Sequence, residues 1–212
     1  MTDPDGASLA RPHVFLPAEP GSTGPPLLLL HGTGGSEHDL VPLRDHLSPG
    51  SAVLAPRGTV LENGMPRYFR RLAEGVFDEA DLTRRAQELG QFVATAGEHY
   101  GIAPGALVAV GFSNGANIAS ALLLQAPDTL RAAVLLAAMV PYAKPPQADL
   151  SGTAVVVSNG ARDPMIPAAQ TDLLVRQLQD LGAEVTSVPH QGGHQIDTRT
   201  LPEIAAVLAE LS

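Results

Sequence analysis

A chain of 212 residues with 44% hydrophobic and 17% charged positions is long enough to bury a large aliphatic core and too apolar to be a mainly disordered polypeptide. Its 22 acidic and 13 basic residues leave a net charge of -9, with no dense Lys/Arg block, so neither a nucleic acid nor a membrane is expected as a partner. The absence of cysteine excludes disulfides, thiolate metal sites and a cysteine nucleophile, leaving covalent chemistry to hydroxyls, carboxylates or lysine.

In chain order, residues 1–24 carry acidic and turn-forming residues rather than a positive segment followed by an apolar one, so no secretory signal is read and cytoplasmic residence is the default expectation. Residues 1–12 are expected to be flexible, and residues 1–212 to form a single domain. His13–Leu16 reads as an antiparallel strand at a sheet edge. The apolar runs Leu27–Leu30, Ala52–Ala55, Leu107–Val110, Ala132–Ala138 and Thr153–Val157 lack polar alternation, as parallel strands covered on both faces do. Between them, Ala80–Tyr100, Gly115–Gln125 and Ala168–Leu181 have helical patterning, and Leu201–Leu211 closes the chain with another helix.

Pro167 before the third helix and Gly182 after it follow the usual asymmetry of helix ends. Glu184–Val188 alternates in polarity, as a strand near a sheet edge would. Alternating strands and helices predict an α/β fold with a doubly wound, mostly parallel sheet. One segment breaks the rhythm: Pro56–Glu79 reads as an irregular connection, longer than usual, rich in arginines and aromatics.

The chemistry centres on Gly111-Phe112-Ser113-Asn114-Gly115, set between the apolar run Ala106–Val110 and the helical stretch Ala116–Gln125. A serine between a buried strand and a helix requires a sharp turn, and the two glycines remove the side chains that would clash there, so Ser113 is a candidate nucleophile. The competing reading makes Ser113 an ordinary helix N-cap. A serine hydroxyl needs a base within hydrogen-bond reach and an acid to orient that base. Asp163 lies in the loop after Thr153–Val157, and His194 in the glycine-rich loop after the last strand. Functional groups of parallel sheets gather at those strand ends. The order Ser113, Asp163, His194 is that of an α/β-hydrolase.

Rival candidates rank lower. His190 is read as structural or surface-exposed, and Asp172 and Asp197 are alternative carboxylates. The amide of Asn114 and that of Thr33, in the loop His31-Gly32-Thr33-Gly34-Gly35, are candidate oxyanion donors. That loop matches neither glycine-rich phosphate-binding pattern, and Glu37, His38 and Asp39 are too close in sequence to converge on a metal ion. No cofactor and no metal are expected. Met65, Tyr68, Phe69 and Phe77 are candidates for the wall of an acyl or aryl pocket, with core packing the competing reading. Arg57, Arg67, Arg70 and Arg71 are read as pairing with the acidic residues around them rather than with substrate.

On the motifs His31–Gly35, Gly111–Gly115 and the Asp163 and Gly193-His194 loops, the chain over Leu27–Leu211 resembles the phospholipase/carboxylesterase family of α/β-hydrolases. Pro56-Arg57-Gly58 and Leu61–Arg71 resemble the bacterial methylhydroquinone/catechol-stress branch. The resemblance implies a cofactor-free serine carboxylesterase without a large cap domain, acting on small or short-acyl esters, aryl esters included, and it admits a homodimer. Thioesterase members resemble this chain less, since they carry a Gly-x-Gly-Asp type loop and a glutamine after the serine, where Gly34-Gly35 and Asn114 stand here. A lysophospholipase of the same fold and a non-catalytic sensor on a hydrolase scaffold are the remaining alternatives.

Overall fold

The computed structural model describes residues 9–211. The first eight of the twelve residues expected to be flexible lie outside that range. Of the other four, Leu9 packs against the core and the Arg11 guanidinium sits 5.4 Å above the Phe92 ring.

Among the described residues, eleven strands and five α-helices follow one another. Seven strands make the central sheet: β1 (His13–Leu16), β2 (Leu27–Leu30), β3 (Val53–Pro56), β8 (Val108–Phe112), β9 (Ala132–Leu136), β10 (Ala154–Ser158) and β11 (Glu184–Ser187). Their spatial order is β1-β3-β2-β8-β9-β10-β11. Within this sheet β1 alone of the described strands runs antiparallel, pairing with β3 at the edge, as expected for His13–Leu16.

The unbroken apolar runs have a direct cause, because both faces of the sheet are covered. Leu28, Leu30, Ala109, Leu135, Val155 and Val157 point toward α2 (Glu79–Tyr100), α3 (Asn114–Gln125) and α4 (Ala168–Asp180). The alternate residues Leu27, Leu29, Val110, Val134 and Val156 meet α1 (Arg44–Leu47) and α5 (Leu201–Ala209). Each fully buried leucine or valine contributes about 1.5–3 kcal/mol relative to exposure, so a polar residue at any of these positions would be costly. Among the described residues no helix is long and apolar enough to cross a membrane.

The segment expected to be irregular is instead two small hairpins. β4 (Val60–Glu62) pairs with β5 (Met65–Arg67) across Asn63-Gly64, whose φ values of 52° and 79° fit a two-residue type I′ turn. β6 (Arg71–Ala73) pairs with β7 (Val76–Phe77) across a turn that has Gly75 at φ 70°. The Asp78 carboxylate then accepts from the Asp81 amide at 3.0 Å and starts α2, which Gly101 ends at φ 72°. The expected strand Ala132–Ala138 stops at Leu136, because Ala137 turns to φ 53°.

Candidate active site

Ser113 occupies the step from β8 to α3 with φ 53° and ψ -114°. A non-glycine residue in that region costs of order 1–3 kcal/mol and persists only where its surroundings enforce it. Here the Ser113 amide donates to the Leu136 carbonyl at 2.9 Å and the Ser113 carbonyl accepts from Asn117 at 3.0 Å. The flanking glycines are required by space. A Cβ on Gly111 would strike the Gly115 carbonyl, and one on Gly115 would strike that of Leu30. The Ser113 side chain makes no capping bond to α3. Ser113 thus stands at the N-cap position without capping through its side chain, and its hydroxyl faces His194.

Ser113 Oγ lies 2.8 Å from His194 Nε2, and His194 Nδ1 lies 2.7 Å from Asp163 Oδ2. The other carboxylate oxygen of Asp163 accepts from the amides of Met165, at 2.8 Å, and Ile166, at 3.3 Å, so both oxygens are engaged. With its carboxylate fully buried, Asp163 has lost its water and depends on these donors. The rival carboxylates stand elsewhere: Asp172 is exposed on α4, and Asp197 pairs with Arg199 at 2.6 Å. The Arg199 guanidinium pushes Asp197 down to about 2. His190 is buried and structural, with Nδ1 accepting from the Gly192 amide at 3.1 Å. Its carbonyl accepts from Ala161 at 2.7 Å, which ties the loop bearing His194 to the loop bearing Asp163.

The loop after β2 is fixed by His31. Burial lowers its pKa from the ordinary value, so the ring is neutral. Nε2 accepts from the Gly58 amide at 2.9 Å, which places the ring proton on Nδ1, 2.6 Å from the Gly32 carbonyl. That carbonyl also accepts from Gly35 at 3.1 Å. Since the peptide is trans, the Thr33 N–H points the opposite way from the Gly32 carbonyl. Asn114 is the first residue of α3, where helical geometry supplies its amide with no partner. Thr33 and Asn114 line one cleft of about 40 Å³ together with Ser113 and His194.

Of the four aromatic and sulfur-bearing pocket candidates, Phe77 alone lines this cleft. Tyr68 and Phe69 are core residues, 2% and 0% exposed. The Tyr68 hydroxyl donates to the Pro56 carbonyl at 2.7 Å and accepts from the His31 amide at 3.2 Å, so it braces the loop from behind. Met65 lies exposed on the hairpin, near Gly34. Tyr68 and Phe69 follow the end of β5 in a bend, where both turn into the core and no strand alternation applies. The cleft is completed by Met139, Met165, Ile166 and Asn117, which the sequence reading did not single out.

The arginines are paired, as expected. Arg57 meets Glu37 at 2.7 Å and Arg70 meets Asp78 at 2.7 Å. Arg71 meets Glu62 at 2.8 Å, and Arg67 meets the same glutamate at 3.2 Å. Arg67 and Arg71 nevertheless line the cleft as well, and the Arg67 Nη1 donates to the Thr33 hydroxyl at 2.7 Å. Glu37 is thus a salt-bridge partner, and no cluster of metal-ligating side chains occurs among the described residues.

With this geometry in place, the family model of phospholipases/carboxylesterases matches residues 18–212. The chain belongs to the phospholipase/carboxylesterase family. It is 46% identical over 184 residues to the Bacillus subtilis protein MhqD, covering 87% of this chain and 90% of that one. A crystal structure of a Bacillus cereus carboxylesterase superposes with a TM-score of 0.92 at 41% identity, over 96% of each chain. A Mesorhizobium loti carboxylesterase follows with a TM-score of 0.82 at 30% identity, over 87% of this chain and 88% of that one. The fold is that of the α/β-hydrolases without a large cap domain, and the family membership supports an esterase function.

Proposed function

We propose that this protein is a serine carboxylesterase for small or short-acyl esters, working without a cofactor. Ser113 Oγ attacks the ester carbonyl while His194 Nε2 takes its proton. Asp163 holds the His194 ring in position and offsets the positive charge that forms on it. The amides of Thr33 and Asn114 receive the oxyanion. His194 then gives its proton to the leaving alkoxide, and an acyl-enzyme on Ser113 remains. Water, deprotonated by the same histidine, attacks the acyl carbon; the carboxylic acid leaves and Ser113 recovers its proton.

The observation that carries this reading is the unbroken relay Ser113–His194–Asp163, at 2.8 and 2.7 Å, beside a strained serine on a sharp turn. The cleft volume of about 40 Å³ favours short acyl groups over long chains. A fluorophosphonate probe should label the protein at Ser113, located by peptide mass spectrometry, and p-nitrophenyl acetate should be turned over. Absence of both label and turnover would reject the enzyme reading in favour of a non-catalytic sensor. Faster turnover of acyl thioesters than of matched esters would move the protein to the thioesterases.

A further inference from the structure

The cleft beside Ser113 is cationic in a protein of net charge -9. Among the described residues the charged side chains of its lining are Arg67, Arg71 and, when protonated, His194, with no carboxylate. Asp163 stands behind His194 and is matched to it. Glu62 stands behind the two arginines and is shared between them: Arg71 reaches Oε1 at 2.8 Å, and Arg67 Nε reaches Oε2 at 3.2 Å. Two guanidiniums against one carboxylate leave one positive charge over. The arginines around Asp81 are placed differently, since Arg70 also has Asp78 at 2.7 Å and Arg85 also has Glu88 at 2.8 Å.

The two cleft arginines are not equivalent. Arg67 is 4% exposed at its side chain and is committed to the Phe69 carbonyl and the Thr33 hydroxyl as well as to Glu62. Arg71 is 26% exposed and meets Glu62 through Nε and Nη2, so the Nη1 end of its fork faces away from that pair. A guanidinium at the wall of a small, partly desolvated cleft favours a carboxylate, which it can bind through two parallel N–H groups. The local surplus of positive charge also raises the concentration of anionic substrate at the site.

We propose that Arg71, with Arg67 behind it, selects short esters that also carry one free, ionised carboxylate. Arg67 is a positioning residue that holds Thr33 in the loop after β2. This assignment rests on the serine esterase reading above, and it adds the charge of the substrate.

The test compares monoethyl succinate with ethyl butyrate, a pair of similar length that differs in charge, using a pH-stat at pH 8. The wild type should favour the anionic ester at least tenfold in kcat/KM, and raising the ionic strength should reduce that ratio. Arg71→Gln should lower the ratio about tenfold, mostly through KM, and Arg71→Lys should recover part of it. Arg67→Gln should instead lower kcat for both esters. Turnover of ethyl butyrate without preference for monoethyl succinate, or a preference that survives Arg71→Gln, overturns the charge assignment and leaves the esterase reading standing. The salt dependence of the wild-type ratio decides the matter should Arg71→Gln fail to fold, since a salt-insensitive ratio also overturns it. Failure to turn over either ester, or any other short ester, overturns both readings.

Discussion

The amide of Arg162 donates to the carbonyl of Gly192 at 3.0 Å, so the loop that bears Asp163 and the loop that bears His194 are one hydrogen-bonded unit. The bond continues the parallel pairing of β10 and β11 beyond the ends of both strands, through the bridge between Gly160 and His190. Asp163 and His194, 31 residues apart in sequence, are thereby placed by the register of the sheet itself.

That unit leaves no room at Gly160, where a Cβ would strike the carbonyls of Gly192 and Gly193. Gly160→Ala should therefore push the two loops apart and lower kcat on a short ester about 100-fold or more, the cost of misplacing a catalytic group by roughly 1 Å. Thermal denaturation would show the variant folded. Near-normal kcat would mean the loops do not need this contact.

Replacing Ser113 by alanine should reduce kcat about 10⁴- to 10⁶-fold, while the melting temperature stays within a few degrees of the wild type. The strained backbone is retained in the variant, so stability changes little. Steady-state kinetics beside a denaturation curve separates the loss of chemistry from loss of fold.

Phe69→Ala should cost about 3–5 kcal/mol in chemical denaturation, because the ring is fully buried and lies edge-on to Phe77, with centroids 5.0 Å apart. Phe77→Ala should cost less stability and raise KM several-fold, since that ring lines the cleft. Similar KM effects from the two variants would contradict the separation of core from pocket.

The buried His31 predicts a pH dependence of stability. Its native pKa is held below the ordinary 6.5 by burial, so below pH 6.5 the unfolded chain binds a proton here that the native chain refuses. The contribution of His31 is complete above that value and is lost as the pH falls from it toward the native pKa. His31→Asn should be less stable than wild type at pH 7.5, and the gap should narrow below pH 6.5 at no more than about 1.4 kcal/mol per pH unit. Urea denaturation at pH 7.5, 6.5 and 5.5 measures it. A gap that is constant or widens would count against a neutral native His31.

The strands, the helices and the order Ser113, Asp163, His194 are legible along the chain because they depend on local rules. An apolar run covered on both faces, a proline before a helix and glycines around a sharp turn all leave their mark within a few residues. Asn63-Gly64 also carried a local hairpin signal, and the irregular reading of Pro56–Glu79 passed over it. The division of that segment was not local. Tyr68 and Phe69 read equally as pocket wall or as core and they turn inward, while Arg67 and Arg71 read as paired with neighbouring acids and also reach the cleft. Which side of a short hairpin faces the site depends on how the segment docks against the loop after β2, the end of β3 and the start of α3, and no periodicity over three residues records that. Sequence alone therefore determines the candidate nucleophile, base and acid, through turn chemistry and strand order. The wall of the cleft and its surplus charge arise only when segments distant along the chain pack against one another, because contact and desolvation are properties of the assembled core.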